Sequence, residues 1–466
     1  MIGVGLYSRK HATNVNDFVL GGRSVGPWLT AFAYGTSYFS AVVFVGYAGQ
    51  FGYKYGLAST WIGIGNALIG SLLAWVILGR RTRIMSNHLT AATMPDYFGK
   101  RYKSKALRIA ASAIAFIFLI PYTASVYNGL SRLFGMAFDI PYEVCVIVMA
   151  VLTCVYVILG GYMATAINDF IQGIVMLVGI VAVIAAVLSG HGGFMEAVRS
   201  LAEMESDVAV TMGQKGAFTS FFGPDPLNLL GVIILTSLGT WGLPQMIHKF
   251  YAIKDEKSIQ SGTIISTLFA IIVSGGCYFL GGFGRLFDTA AIHKADGSVI
   301  YDAIIPEMLS TLPDILVGVV IVLVLSASMS TLSSLVLTSS STLTLDFLKD
   351  NFIKKMSEKK QLLCMRLLLV FFIVCSVVLA LFPPKSIAQF IAQLMGISWG
   401  ALAGAFLAPF LYGLYWKGVT RAAVWASFIC GIGITVSNLF LSYIASPINA
   451  GAIAMIVSLI VVPIVS

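Results

Sequence analysis

Leu238-Gly-Thr-Trp-Gly-Leu-Pro244 interrupts what would otherwise be one apolar helix from about residue 226 to 250. Proline has no amide hydrogen to donate and glycine weakens a helix, so the stretch predicts a break at mid-depth. A second break is expected at Ala33-Tyr-Gly-Thr-Ser-Tyr-Phe-Ser40, with Gly46 and Gly49 following. A break in hydrocarbon leaves amides and carbonyls without partners, which is costly unless a neighbour, an ion or a ligand satisfies them. One such break reads equally well as a kink; two at matching places favour a binding role.

The rest of the chain fits that setting. Of 466 residues only 11% are charged and the mean hydropathy is +0.90. A soluble domain carries about 25% charged residues, so this is an integral membrane protein. Long apolar runs without strand-like alternation mean helices rather than a β-barrel. Apolar runs long enough to span fall at about 27–52, 57–79, 106–135, 142–160, 163–190, 226–250, 259–284, 313–344, 362–383, 387–415, 422–444 and 448–466. A short apolar segment, Met1 to Tyr7, precedes them; too short to span, it reads as either the end of a truncated leading helix or a surface segment.

Orientation follows from the basic residues. With the end of that segment in the cytoplasm, 22 of the 29 lysines and arginines lie inside and seven outside: Lys54, Arg132, Arg199, Lys215, Arg285, Lys294 and Lys385. The inner set includes Lys10, Lys249, Lys354 and Lys355. Counting spans divides the chain into a leading segment (1–26), five helices (27–190), an external connection (191–225), five helices (226–415) and two C-terminal helices (416–466). Five is odd, so the second block runs opposite to the first, the arithmetic of an inverted-topology repeat.

Two further features carry chemistry. The helix Leu323-Val-Leu-Ser-Ala-Ser-Met-Ser-Thr-Leu-Ser-Ser-Leu-Val-Leu-Thr-Ser-Ser-Ser-Thr342 is dense in hydroxyls. Ala327, Ser330, Thr331, Ser334, Thr338 and Ser341 share one face, whose neutral oxygens suit either a desolvated hard cation or close helix packing. Asp169 lies just inside the fifth span, where an acid is either functional or a helix-terminal charge. The six cysteines lack CxxC spacing and read as packing residues, and the five histidines form no ligand cluster. The Gly99-Lys-Arg-Tyr-Lys-Ser-Lys105 run suits lipid head groups. No phosphate-binding loop, nucleophile elbow or metalloprotease motif is present, which argues against an enzyme and against ATP-driven transport.

These residues resemble the sodium:solute symporter family, which has the LeuT-type fold. The matching pieces are Gly21-Gly-Arg-Ser-Val-Gly-Pro27, Gly160-Gly-Tyr162, Asp169-Phe-Ile-Gln172, Gly242-Leu-Pro244, Lys254-Asp-Glu-Lys257, Met329-Ser-Thr-Leu332 and Gly413-Leu-Tyr-Trp-Lys417. They run in the family's order from about Leu6 to Phe440. The resemblance implies a 5+5 inverted repeat of about 12–13 helices in the plasma membrane. It also implies uptake of a small organic solute by alternating access, coupled to Na+ and without nucleic acid, in a protein working as a monomer.

Carried over by position, the resemblance implies a sodium site made by carbonyls of Thr36, Phe39 and Ala327 and hydroxyls of Ser330 and Thr331. A second sodium set, found in some members, matches Asp169, Ser330, Ser333 and Ser334. Tyr38, Ser40, Thr240 and Trp241 flank the breaks and are the expected substrate contacts. The proline-transporting branch carries an acid where this chain has Tyr38. Tyr38-Phe-Ser-Ala-Val-Val-Phe44, Gly52-Tyr-Lys-Tyr-Gly56 and Trp241-Gly-Leu-Pro-Gln245 look closer to the pantothenate and monocarboxylate branch. The expected solute is therefore a carboxylate or amino-acid-like compound, with a sugar less favoured and proton coupling through Asp169 as the rival.

Overall fold

The structure is a computed structural model that describes residues 2–9, 12–138, 140–349, 351–353, 356–383 and 391–466. Lys10, Lys354, Lys355, Lys385 and the start of the tenth expected span lie outside the described residues. Within them the chain is helical, and β-structure is limited to isolated bridges such as Val25 with Ile253.

Among the described residues nine helices are long and apolar enough to cross a membrane, or ten if the bent pair Pro226–Gly242 and Pro244–Tyr251 is one span. Two are far longer than a bilayer needs. Tyr142–Gly190 has 49 residues and Val42–His88 has 47; at about 1.5 Å per residue each runs to roughly 70 Å, against a hydrocarbon core of about 30 Å. Tyr142–Gly190 is two spans, and Val42–His88 is the latter half of the first expected span followed by the second, each joined at a glycine. Gly161 (φ 53°, ψ −145°) and Gly56 (φ 60°, ψ −141°) hold backbone geometries that a β-carbon would oppose. So divided, every expected span falls on a helical segment.

Lipid-facing stripes are plain. Val144, Val148, Val151 and Val155 are exposed at one-turn spacing, while Cys145 and Met149 between them are buried. Helices approach closely where side chains vanish: a β-carbon on Gly52 would overlap the Gly281 carbonyl, so Ala48–Tyr55 and Gly276–Gly281 meet backbone to backbone.

Basic residues at the inner end do more than set orientation. Arg23 donates to the carbonyls of Ala91 at 2.6 Å and Tyr251 at 3.1 Å. Arg108 pairs with Asp346 at 3.0 Å, and Arg101 donates to the carbonyls of Gly413 and Trp416, both at 3.0 Å. The run expected to meet lipid head groups therefore also ties helix ends together. At the outer end, a cavity of about 410 Å³ opens beside Gln50, Lys54, Asp225, Arg285 and Tyr301.

Candidate functional site

Both expected breaks are present. The helix Pro27–Tyr38 ends at Phe39, which is extended (φ −104°, ψ 129°), and helical structure resumes from Ala41. In the second block Leu243 is extended (φ −86°, ψ 121°) and Pro244 opens the next half-helix, bent by 46° from its predecessor. A helix ending at Tyr38 leaves the carbonyls of its last turn, Gly35 to Tyr38, without intrahelical partners. That end also carries the negative pole of the helix dipole.

The hydroxyl helix, Asp314–Thr342, lies against this end. Thr331 Oγ1 is 3.1 Å from the Phe39 carbonyl and 3.2 Å from that of Ala327. Ser330 Oγ donates to Thr36 Oγ1 at 2.8 Å, and Thr36 Oγ1 donates to the Phe32 carbonyl at 2.7 Å. All five residues expected at the sodium site are thus brought together and buried. Two oxygens each about 2.4 Å from one small cation would be roughly 3.4 Å apart, close to the spacings seen. The set is neutral and oxygen-only, as a weakly held monovalent hard cation requires. Among the described residues no group of three His, Cys, Asp or Glu could hold a metal ion.

The second expected set is also assembled, with an unforeseen member. Asp169 is fully buried, and Lys249 Nζ lies 3.6 Å from its Oδ2. The same ammonium donates to Ser334 Oγ at 2.9 Å, and Ser334 Oγ is 2.8 Å from Ser37 Oγ. An ammonium only donates, so the Ser334 proton is free to go to Ser37. Ser333 Oγ donates to the Ser330 carbonyl at 2.8 Å. Lys249, counted among the inner-end cations, is 2% exposed and sits inside the site. Its signal in the sequence is its position five residues after Pro244. At about 1.5 Å per residue it is still roughly 8 Å from the break.

The expected substrate contacts converge on the two breaks. Tyr38 Oη donates to the Thr236 carbonyl at 2.5 Å, linking the first broken helix to the second. Trp241 Nε1 donates to the Ile69 carbonyl at 3.0 Å, and Thr240 Oγ1 donates to Ser237 O at 2.9 Å and reaches Gly70 O at 3.3 Å. Ser40 Oγ accepts from the Val42 amide at 3.2 Å. Beside them stand residues that sequence reasoning missed. The Tyr38 and Tyr122 rings pack on Trp399 at 6.1 and 5.8 Å. Tyr122 Oη, Trp399 Nε1 and both amide atoms of Gln245 are buried without a formed hydrogen bond. Buried polar groups are normally satisfied, so a cluster of unmet donors beside two helix breaks suits a polar ligand. Trp399 lies on Ile391–Tyr415, whose most apolar stretch is 94% buried, which only the fold reveals.

Comparison with known proteins bears on this arrangement. Residues 18–431 match the family model of the sodium:solute symporter family. The chain is 30% identical over 448 residues to a sodium/proline symporter of Staphylococcus aureus, covering 94% of this chain and 83% of that one. Among solved structures, a Na+-coupled sialic acid symporter in a substrate-bound outward-open state superposes with a TM-score of 0.78 at 17% identity, over 99% of this chain and 94% of that one. A nucleobase-cation-symport-1 transporter in a closed conformation gives 0.51 at 15% identity, over 96% and 93%. These likenesses extend over nearly the whole chain and carry the same fold.

Proposed function

The chain belongs to the sodium:solute symporter family, and from that premise we propose that it couples sodium bound at Thr36, Phe39, Ala327, Ser330 and Thr331 to uptake of a small carboxylate-bearing solute. Membership makes it a multi-pass plasma-membrane transporter of the LeuT-type fold that moves a small solute with sodium, and not an enzyme. The observation that carries the site is the Thr331 hydroxyl lying against two carbonyls, one of them freed by the helix break.

A sodium ion there bridges the first broken helix and the hydroxyl helix. It offsets the negative end of Pro27–Tyr38 and holds the break in the shape that completes the solute pocket. Low internal sodium then lets it leave. For a solute of no net charge, such as a zwitterionic amino acid, one sodium crossing about 100 mV contributes about 2.3 kcal/mol, or roughly 1.7 decades of accumulation; for a monocarboxylate anion the sodium concentration gradient alone drives uptake.

The carboxylate reading rests on polarity. Half-helices beginning at Ala41 and Pro244 turn their positive ends toward the breaks, and the unmet groups nearby include the donors Tyr122 Oη, Trp399 Nε1 and Gln245 Nε2. Tyr38 stands there rather than an acid. Proline, the solute named for the Staphylococcus aureus relatives, is itself such a compound and belongs in the first panel tested.

Uptake into proteoliposomes of monocarboxylates and amino acids, at fixed pH with sodium replaced by potassium, tests the coupling ion. Uptake that needs sodium is the expected result; uptake that follows a proton gradient in potassium alone would transfer the coupling to protons. For the solute found, Tyr38→Ala and Trp241→Ala are expected to weaken half-saturation about tenfold or more, each removing a buried aromatic worth at least about 1.4 kcal/mol. Unchanged affinity in Tyr38→Ala, Ser40→Ala, Thr240→Ala and Trp241→Ala would place the solute elsewhere.

A further inference from the structure

Lys249 reaches into the middle of the four residues expected to hold a second sodium ion. Its Nζ is 2.9 Å from Ser334 Oγ, 3.6 Å from Asp169 Oδ2 and 5.3 Å above the Tyr162 ring. Its side chain is 2% exposed and that of Asp169 is 0%. Among the described residues neither has another ion-pair partner, so the cluster is one anion facing one cation.

Asp169 Oδ1 and Oδ2 are buried without a hydrogen-bond partner among the described residues, so the ammonium is what opposes a further cation here. Ser333 Oγ donates to the Ser330 carbonyl and Ser330 Oγ to Thr36 Oγ1. A sodium ion on Asp169 and Ser334 would be about 2.4 Å from their oxygens and so within roughly 6 Å of the ammonium. Two cations would then share one carboxylate in a site closed to water, where like charges repel strongly. The residues present do not fit a second ion.

We propose that the Lys249 ammonium is a built-in cation standing in place of a second sodium, so that this chain binds and carries one sodium per cycle. Lys249 lies on Pro244–Tyr251, Ser334 on the hydroxyl helix and Ser37 on the first half-helix. The fixed charge therefore joins both half-helices through one hydroxyl, one turn away from Thr36 and Ser330. An ion that exchanged at this point would let the three helices part at every cycle; a lysine keeps them tied. This inference rests on the sodium site proposed above.

The test counts ions. Equilibrium binding of radioactive sodium to the purified full chain, at ionic strength held with choline, is expected to give one ion per chain. Lys249→Met, which keeps the apolar stem and removes the charge, is expected to bind two, and adding Asp169→Asn to it to return the count to one. The sodium-to-solute flux ratio from dual-isotope uptake in proteoliposomes gives an independent value for the unmodified protein, expected to be one. Two ions per chain, or two per solute carried, in the unmodified protein would overturn the inference and leave the proposed function standing. A single ion in folded Lys249→Met would overturn it as well. Absence of saturable sodium binding in the unmodified protein would overturn both. Should Lys249→Met fail to fold, the count and ratio of the unmodified protein decide.

Discussion

Thr331→Ala is expected to raise the sodium concentration for half-maximal transport by about tenfold to a hundredfold, with expression and fold intact. The hydroxyl lies 3.1 and 3.2 Å from two carbonyls, one of which has lost its helical partner at the break. In the proposed site, removing it takes one oxygen from the ion. Hydrogen-bond-strength contacts to a charge are worth about 1.5–3 kcal/mol, and about 1.4 kcal/mol is a factor of ten. Ser330→Ala acts in the same direction, because it removes a second oxygen and the bond to Thr36. Thr331→Ser restores the oxygen and returns the sodium dependence most of the way. Sodium titrations of uptake in the three variants check this, and an unchanged midpoint in both alanine variants would remove the assignment.

Asp169→Asn has the larger structural consequence. It leaves Lys249 buried with only the Ser334 hydroxyl and the Tyr162 ring beside it and no counter-charge. Breaking one side of a buried ion pair costs about 3–5 kcal/mol, because the remaining charge has neither water nor counter-ion. Marginal stability makes that a large fraction of the total. The variant is expected to lose most of its thermal stability and much of its yield. Combining it with Lys249→Met removes both charges and should recover the larger part. Melting in detergent of the single and double variants measures the difference. Equal stability of Asp169→Asn and the unmodified protein would mean that the pair does not carry the charge balance described here.

Much of this site was legible in the chain because its oxygens announce themselves. Proline and glycine at Leu238–Pro244 mark a break by missing donors and missing side chains, and hydroxyls crowded on one face of an apolar helix mark either an ion site or a close packing seam. Gly160-Gly161 marked the boundary between two spans, and the positive φ at Gly161 shows why. The division into repeat blocks and C-terminal helices remains a proposal from span counting. Lys249 was hidden because a cation near the inner end of a span reads as an orientation signal. Its partner Asp169 is on another helix, and only the fold brings the two within 3.6 Å. Tyr122 and Trp399 were hidden for a different reason. Aromatics in apolar spans are usually packing, and an unmet Oη or Nε1 is visible only when the neighbours are placed.

The central claim is that this chain itself binds sodium at the first helix break. Thermal stability of the purified protein in detergent, titrated with sodium against potassium at constant ionic strength, addresses it without knowledge of the solute. A ligand that binds only the folded state stabilises it by RT ln(1 + [L]/Kd), about 2.7 kcal/mol at a hundredfold excess over Kd. The account predicts saturable stabilisation by sodium, none by potassium, and a titration displaced to higher sodium in Thr331→Ala. Identical melting in the two ions, or a sodium response untouched by Thr331→Ala, would contradict it.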